Sequence, residues 1–434
     1  MLSSRFARLC VLGSLLLSGC AATPPATPHD MDRVAEEYVR LVLALGLHDP
    51  DFVDAYHGPK KWRKEAERRE LSLDGISIEA GLLRSTLSAG DFGRDKALIA
   101  QRRGLLLKQL TAVQTRSDQL RGKEFSFDQE ARLLYDARAP KHTAEHFAAL
   151  RMELDAMLPG QGSLAERRSQ YRESFVIPAD RLDAVFAAAI QECRKRTLEH
   201  IALPEGERFV VEYVNDKPWS GYNWFQGGAY SLIQLNTDLP IHIDRAVDLA
   251  CHEGYPGHHV FNTLLERELV KNRGWMEFSV YPLFSPMSLI AEGSANFGID
   301  MAFPDDERAE FEREVLFPLA GLDASRVEEY YAIEDVVSRL NYAGNEAARR
   351  YLDKDIDAAA AVQWLQDYSL MSKERAEQRL KFIEKYRAYV INYNLGKDLV
   401  RNHVEAVGGN SDARWDVFEK LLSTPISASM LNEN

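Results

Sequence analysis

His252-Glu253-Gly254-Tyr255-Pro256-Gly257-His258-His259 puts three imidazoles and a carboxylate into eight consecutive positions. A His followed at once by Glu, with further His downstream, is how zinc hydrolases place metal ligands and a proton acceptor on one helix. The spacing departs from the simple form of that pattern. The second His comes six or seven residues after the first, where four is expected, and Pro256 holds the expected ligand position. On an undistorted helix, residues six apart are turned from each other by about 120°, and residues seven apart stand roughly 10 Å apart along the axis. Gly254, Pro256 and Gly257 are helix breakers, and Pro256 has no N–H to offer the His252 carbonyl. The motif therefore predicts a helix that bulges or kinks. Looping out two residues brings His258 into register with His252, and looping out three brings His259. The smaller distortion favours His258, with His259 as the alternative.

A third ligand has to come from another segment. Ser288-Leu289-Ile290-Ala291-Glu292-Gly293-Ser294-Ala295-Asn296 is apolar with one acid embedded, and an isolated carboxylate on such a face is costly unless paired or bound to a metal. Glu266, Glu268 and Glu277 sit in more polar surroundings and read as solvated. Glu292 is thus the expected third ligand, and Asn296, one turn on, is placed to orient a ligand His. Two imidazoles and a carboxylate with an open position suit one Zn²⁺ ion. Glu253 is then the general base. Phe382, Tyr386, Tyr389 and Tyr393 recur at helical spacing, a pattern that also fits plain core. Tyr393, just before Asn394-Leu395-Gly396, is expected at a helix end, where its hydroxyl would stabilise an oxyanion. Arg387 is read as a ligand for a substrate carboxylate, with a surface salt bridge as its alternative. His142 and His146 have the four-residue spacing, but no Glu follows His142, and they read as helix surface.

Strand signals cluster just ahead of the motif. Phe209–Val214 and Ala229–Leu235 are rich in β-branched and aromatic residues, with a Gly/Trp/Asn-rich connection between them, and predict a small antiparallel sheet. An exposed edge of such a sheet beside a metal would hold an extended peptide by its backbone. Elsewhere the apolar spacing is helical, at 31–47, 76–88, 94–117, 128–136, 143–158, 164–174 and 179–201, and again at 287–301, 307–317, 325–341, 345–353, 358–368 and 373–393. The fold class is mainly α: a large helical metallopeptidase-like fold with a small antiparallel β-sheet next to the metal-binding helix. Residues 31–205 read as a helical scaffold and 206–434 as the catalytic region.

Arg5 and Arg8, an apolar run over 9–17 and Leu17-Ser18-Gly19-Cys20 read as a signal peptide (1–19), with Cys20 as the lipidated first residue of the mature chain. The apolar run is far shorter than the roughly 20 residues that span a bilayer. Residues 20–30 are a Pro/Thr/Ala-rich tether, and Ala21-Ala22 favours the periplasmic face of an outer membrane. Removing the signal takes away two Arg and no acid, so the net charge moves from −13 to −15, which argues against nucleic acid as a partner. Cys193 and Cys251 remain, and spacing alone does not say whether they pair.

The eight-residue motif together with Glu292-Gly293 resembles a bacterial family known only as domain of unknown function 885, many of whose members are lipoproteins. Phe261 and Ser294 depart from the family's usual Gln and Trp. The motif is similar to that of gluzincin-type zinc metallopeptidases, in which two His and a downstream Glu bind the ion and the Glu after the first His is the base. That resemblance implies hydrolysis of peptide bonds, and the large helical scaffold, able to wall a deep cleft, favours short peptides as substrates. Two other readings stand beside it: a lipid-anchored envelope binding or assembly protein that keeps a non-catalytic metal site, and a zinc amidase acting on cell-wall peptide.

Overall fold

The computed structural model describes residues 28–431 apart from Asp91, residues 93–96 and Pro218. The expected signal, Cys20 and most of the tether lie outside the described residues. The last tether positions already belong to helix α1 (Pro28–His48), which starts before the expected 31. Helices occupy most of the places that apolar spacing indicated. Leu73–Ala89, Ala97–Leu120, Phe127–Tyr135 and Ala358–Tyr368 each lie on or within a few residues of the expected range. One hydrophobic core runs from Met31 to Leu431 and crosses position 205 without a break.

The elements that build the site are α2 (Leu182–Leu198), α3 (Asp244–Leu249), α4 (His258–Leu265), α5 (Pro286–Ala302), α6 (Lys373–Tyr386) and α7 (Ile391–Glu405). Helix α5 starts with Pro286 in its first turn, where a missing N–H costs nothing, and every residue from Pro286 to Ala295 is buried. A helix apolar all round runs through a core rather than over it. Helix α7 lies along α5, bringing Ile391, Leu395, Gly396 and Val400 into the core.

Residues 373–393, expected as one helix, form two. Helix α6 stops at Tyr386, Arg387 takes a left-handed φ of 53°, and a short 3₁₀ turn over Arg387–Val390 leads into α7. Asn394 and Gly396 do not end a helix, because burial of Leu395 and Gly396 outweighs their weak propensity.

The sheet has strand order β2-β4-β3, formed by β2 (Arg208–Val214), β3 (Gly221–Phe225) and β4 (Tyr230–Asn236). The expected antiparallel pairing is present between β3 and β4, with Gly221 opposite Leu235. Strand β3 falls in the stretch read as a connection. It runs back from β2 yet pairs with β4, so β4, reversing again, lies parallel to β2, with Arg208 opposite Tyr230. A second, two-stranded antiparallel ribbon joins β1 (Val53–Tyr56) to β5 (Val280–Pro282).

Candidate metal centre

The motif breaks the helix as its Gly and Pro content requires. After α3 the chain widens into a π-helical turn over Ala250–Gly254 that carries His252 and Glu253. The Tyr255 N–H reaches back to the Ala250 carbonyl at 3.3 Å, and the Gly257 N–H to the Cys251 carbonyl at 2.9 Å. Pro256, with no N–H, sits between them after a cis peptide bond. A Cβ on Gly257 would overlap the Cys251 and His252 carbonyls, so the return path is open to glycine alone. Helix α4 then starts at His258.

This detour sets His252 and His258 ring to ring, centroids 4.7 Å apart. Glu292 of α5 meets both: its Oε2 is 3.3 Å from His252 Nε2 and 3.8 Å from His258 Nε2. One ligand atom from each of the three lies within 4.8 Å of the others, so the group could hold a metal ion. Glu292 Oε2 is buried and has no hydrogen-bond partner, an orphaned acceptor aimed at two imidazoles. Glu292 Oε1 instead accepts from the Tyr389 hydroxyl at 2.8 Å. His252 Nδ1 lies 3.1 Å from Asn296 Oδ1, while Asn296 Nδ2 donates to the Tyr393 carbonyl. With its amide oriented that way, Asn296 accepts from Nδ1–H and leaves the Nε2 lone pair facing Glu292.

His259 points away from this group. It is fully buried, with Nδ1 2.9 Å from Ser231 Oγ and Nε2 3.1 Å from Glu207 Oε2. Glu207 also accepts from the Tyr255 hydroxyl and from Arg194. Burial pushes the Glu207 carboxyl up, but its bonds to His259, Tyr255 and Arg194 outweigh that and hold it down at about 2. His259 thus anchors the segment to the sheet while His258 turns towards Glu292.

The charges are tuned by burial and by each other. Burial drives His258 down to about 4, against the pull of Glu292, which keeps the imidazole neutral as ligation requires. His252 is lowered by burial, but the Glu292 carboxylate 3.3 Å away and the charge of Glu253 outweigh this and raise it. Glu253 is buried, and desolvation, with Glu292, pushes its carboxyl up to about 7 against the opposing effects of His252 and Arg245. The Glu253 carbonyl accepts from Asn223 Nδ2 at 2.7 Å, and a Cβ on Gly221 would stand 3.0 Å from Glu253 Oε1. Strand β3, an edge of its sheet, therefore runs directly beside the carboxylate.

No family model matches the sequence, and no curated protein matches it. Solved structures show distant likeness, among them three with TM-scores below 0.5. A lipoprotein from Colwellia psychrerythraea shares 14% identity at a TM-score of 0.49, over 94% of this chain and 76% of that one. A lipoprotein of unknown function from Shewanella oneidensis shares 12% at 0.41, over 83% and 76%. An M32 carboxypeptidase from Deinococcus radiodurans R1 shares 14% at 0.42, over 91% and 90%.

Residues that motif reading passed over complete the site. Asp54 of β1 feels both Glu292 and Glu253, and desolvation together with those charges pushes its carboxyl up to about 8. Tyr281 of β5 feels Glu292 and Asp54 and is held well above its usual range, chiefly by burial. Tyr389 was visible as one ring of the aromatic stripe but not as a partner of Glu292. Tyr393, expected at a helix end, lies instead in the first turn of α7. Burial and the Glu292 charge keep its hydroxyl protonated, and it also feels Glu253.

Arg387, expected to hold a substrate carboxylate, is committed elsewhere: its Nε donates to the buried Glu130 at 2.7 Å at the break between α6 and α7. His142 and His146 stack at 4.7 Å without a third ligand; among the described residues His252, His258 and Glu292 form the one metal-ligating group. Cys193 of α2 and Cys251 are joined in a disulfide, tying the π-helical turn to α2 immediately before His252. Among the described residues no helix is long and apolar enough to cross a membrane.

Proposed function

We propose that the chain is a zinc-dependent peptidase acting on short peptides, with His252, His258 and Glu292 as metal ligands and Glu253 as general base. The observation that carries this reading is the orphaned Glu292 Oε2 facing two imidazole Nε2 atoms, with a second carboxylate, Glu253, on the residue after the first ligand. The donor set of two imidazoles and one carboxylate suits zinc. Bound there, the ion supplies Lewis acidity towards a carbonyl and a water, whose pKa such sites lower to about 7.

The remaining work falls to the chain's own side chains. Glu253 takes a proton from the attacking water at its carboxylate and passes it to the leaving nitrogen. Tyr393, kept protonated by burial, donates to the developing oxyanion. Asn296 fixes the His252 ring, and Tyr389 holds the outer oxygen of Glu292. Strand β3 offers an unpaired backbone edge to an extended peptide beside Glu253. A pure binding protein would have no use for a buried, unpaired proton acceptor at that place. The reading includes anchorage through Cys20 at the periplasmic face of an outer membrane, an oxidising setting in which the Cys193–Cys251 disulfide persists.

The test is an assay of the mature chain on a mixed peptide pool, with and without chelator, beside Glu253→Gln. Cleavage that needs metal and disappears in Glu253→Gln with metal retained supports the reading. Cleavage that survives both treatments, or none in the zinc-loaded chain, overturns it.

A further inference from the structure

Helix α6 brings two arginines, Arg375 and Arg379, onto one face, four residues apart. Among the described residues neither is paired with a carboxylate. Arg379 is the more enclosed of the two. Its Nε is buried without a hydrogen-bond partner, and its guanidinium lies over the Phe382 ring at 4.7 Å. Among the described residues no acid opposes its charge: burial lowers its pKa, and Tyr393 opposes that. Arg375 is exposed and is repelled by Arg172 and Arg168. A half-buried guanidinium whose Nε is sealed from solvent without a counter-charge is costly, and a ligand that supplies the missing anion relieves that cost.

Its place in the fold says which anion. Phe382 contacts Tyr386 at 4.6 Å, Tyr386 contacts Tyr389 at 6.0 Å, and the Tyr389 hydroxyl bonds Glu292. Tyr393, the neighbour on which Arg379 acts, also feels Glu292 and Glu253. A continuous run of aromatic rings thus joins the guanidinium to Glu292. The planar fork of an Arg matches a carboxylate.

We propose that Arg379 binds the free C-terminal carboxylate of the peptide, so that the site cuts near the C-terminus of its substrates. The cleavage part rests on the peptidase reading above; the carboxylate site does not.

Binding is therefore measured without turnover. The zinc-loaded chain carrying Glu253→Gln is titrated calorimetrically with acetyl-Ala-Ala-Phe as the free acid and as its C-terminal amide. The acid is expected to bind at least tenfold more tightly. Adding R379Q should bring the acid down to the affinity of the amide while the amide is unaffected, and R379K should keep part of the preference. Because Arg379 forms no ion pair, R379Q is expected to melt no lower than its parent. Equal binding of acid and amide, no binding of either, or a preference that survives R379Q would overturn the proposal. If the preference depends on Arg379 yet the chain with Glu253 intact cleaves neither peptide, the carboxylate site stands and the peptidase reading falls.

Discussion

Gly293 of α5 and Gly396 of α7 cross backbone against backbone. A Cβ on Gly293 would stand 2.7 Å from Gly396 Cα, and a Cβ on Gly396 would stand 2.6 Å from the Leu289 carbonyl oxygen. Neither methyl fits, so the two helices approach as closely as their main chains allow. The crossing lies next to Glu292 on one side and three residues from Tyr393 on the other. It fixes the distance between Glu292 and the tyrosines that surround it.

Gly293→Ala should therefore force α7 away from α5. We expect a loss of about 2 kcal/mol of stability from overpacking, together with weaker zinc binding. Denaturant titration and a competitive zinc assay on the same protein check both. Unchanged stability would mean that the crossing is looser than described.

Tyr389→Phe leaves Glu292 Oε1 without its 2.8 Å donor. Loss of such a supporting bond costs roughly 10- to 100-fold in metal affinity. Tyr393→Phe, whose hydroxyl is assigned to the oxyanion, should instead lower kcat and leave zinc affinity intact. Zinc titration and steady-state kinetics on the two variants separate these roles, and the reverse pattern would exchange them.

Glu253 gives a pH-dependent signature. In metal-free protein its carboxyl is raised from the ordinary 4.5 to about 7, so the folded state holds that proton more tightly than the unfolded chain. The stability this contributes is present below pH 4.5 and is lost as pH rises through 7. Glu253→Gln should thus melt like the parent at pH 4 and be more stable at pH 8, by up to about 3 kcal/mol. Thermal melts of both proteins at the two pH values decide the matter. A variant less stable than the parent at pH 8 would contradict the burial assigned to this group.

The Cys193–Cys251 disulfide spans 58 residues and ends one residue before His252. In the chain-entropy account a loop of this size stabilises by about 4 kcal/mol. Cys193→Ala combined with Cys251→Ala should lose stability of that order and bind zinc more weakly, since the π-helical turn is then held by packing alone. Denaturation with and without the bond tests this.

Much of the site was legible in the sequence because its chemistry is local. The Gly254, Pro256 and Gly257 breakers announced a detour, and Glu292 stood out as an acid in an apolar helix that Gly293 allows to pack closely. Local pattern could not decide between His258 and His259. That choice depends on Glu207, just ahead of β2, and Ser231 of β4, which capture His259. Asp54 was invisible because β1 is four residues long and reaches the site by pairing with β5, over two hundred positions away. The parallel pairing of β2 with β4 was missed for a similar reason: β3, rich in Gly, Asn and Trp, has the composition of a loop and becomes a strand through its neighbour β4. The break at Arg387 has no helix-breaking residue to signal it; the buried Glu130 takes its guanidinium and the Ala388 N–H.

The central claim is that His252, His258 and Glu292 hold one metal ion while His259 holds the fold. Metal content of the purified mature chain after zinc loading and desalting, compared with His258→Ala and His259→Ala, tests it most directly. We expect about one equivalent of zinc in the parent, loss of that zinc in His258→Ala with folding retained, and zinc kept in His259→Ala, which should lose about 2–3 kcal/mol of stability. A parent that binds no zinc, or a His258→Ala protein that binds it as tightly as the parent, would contradict the account.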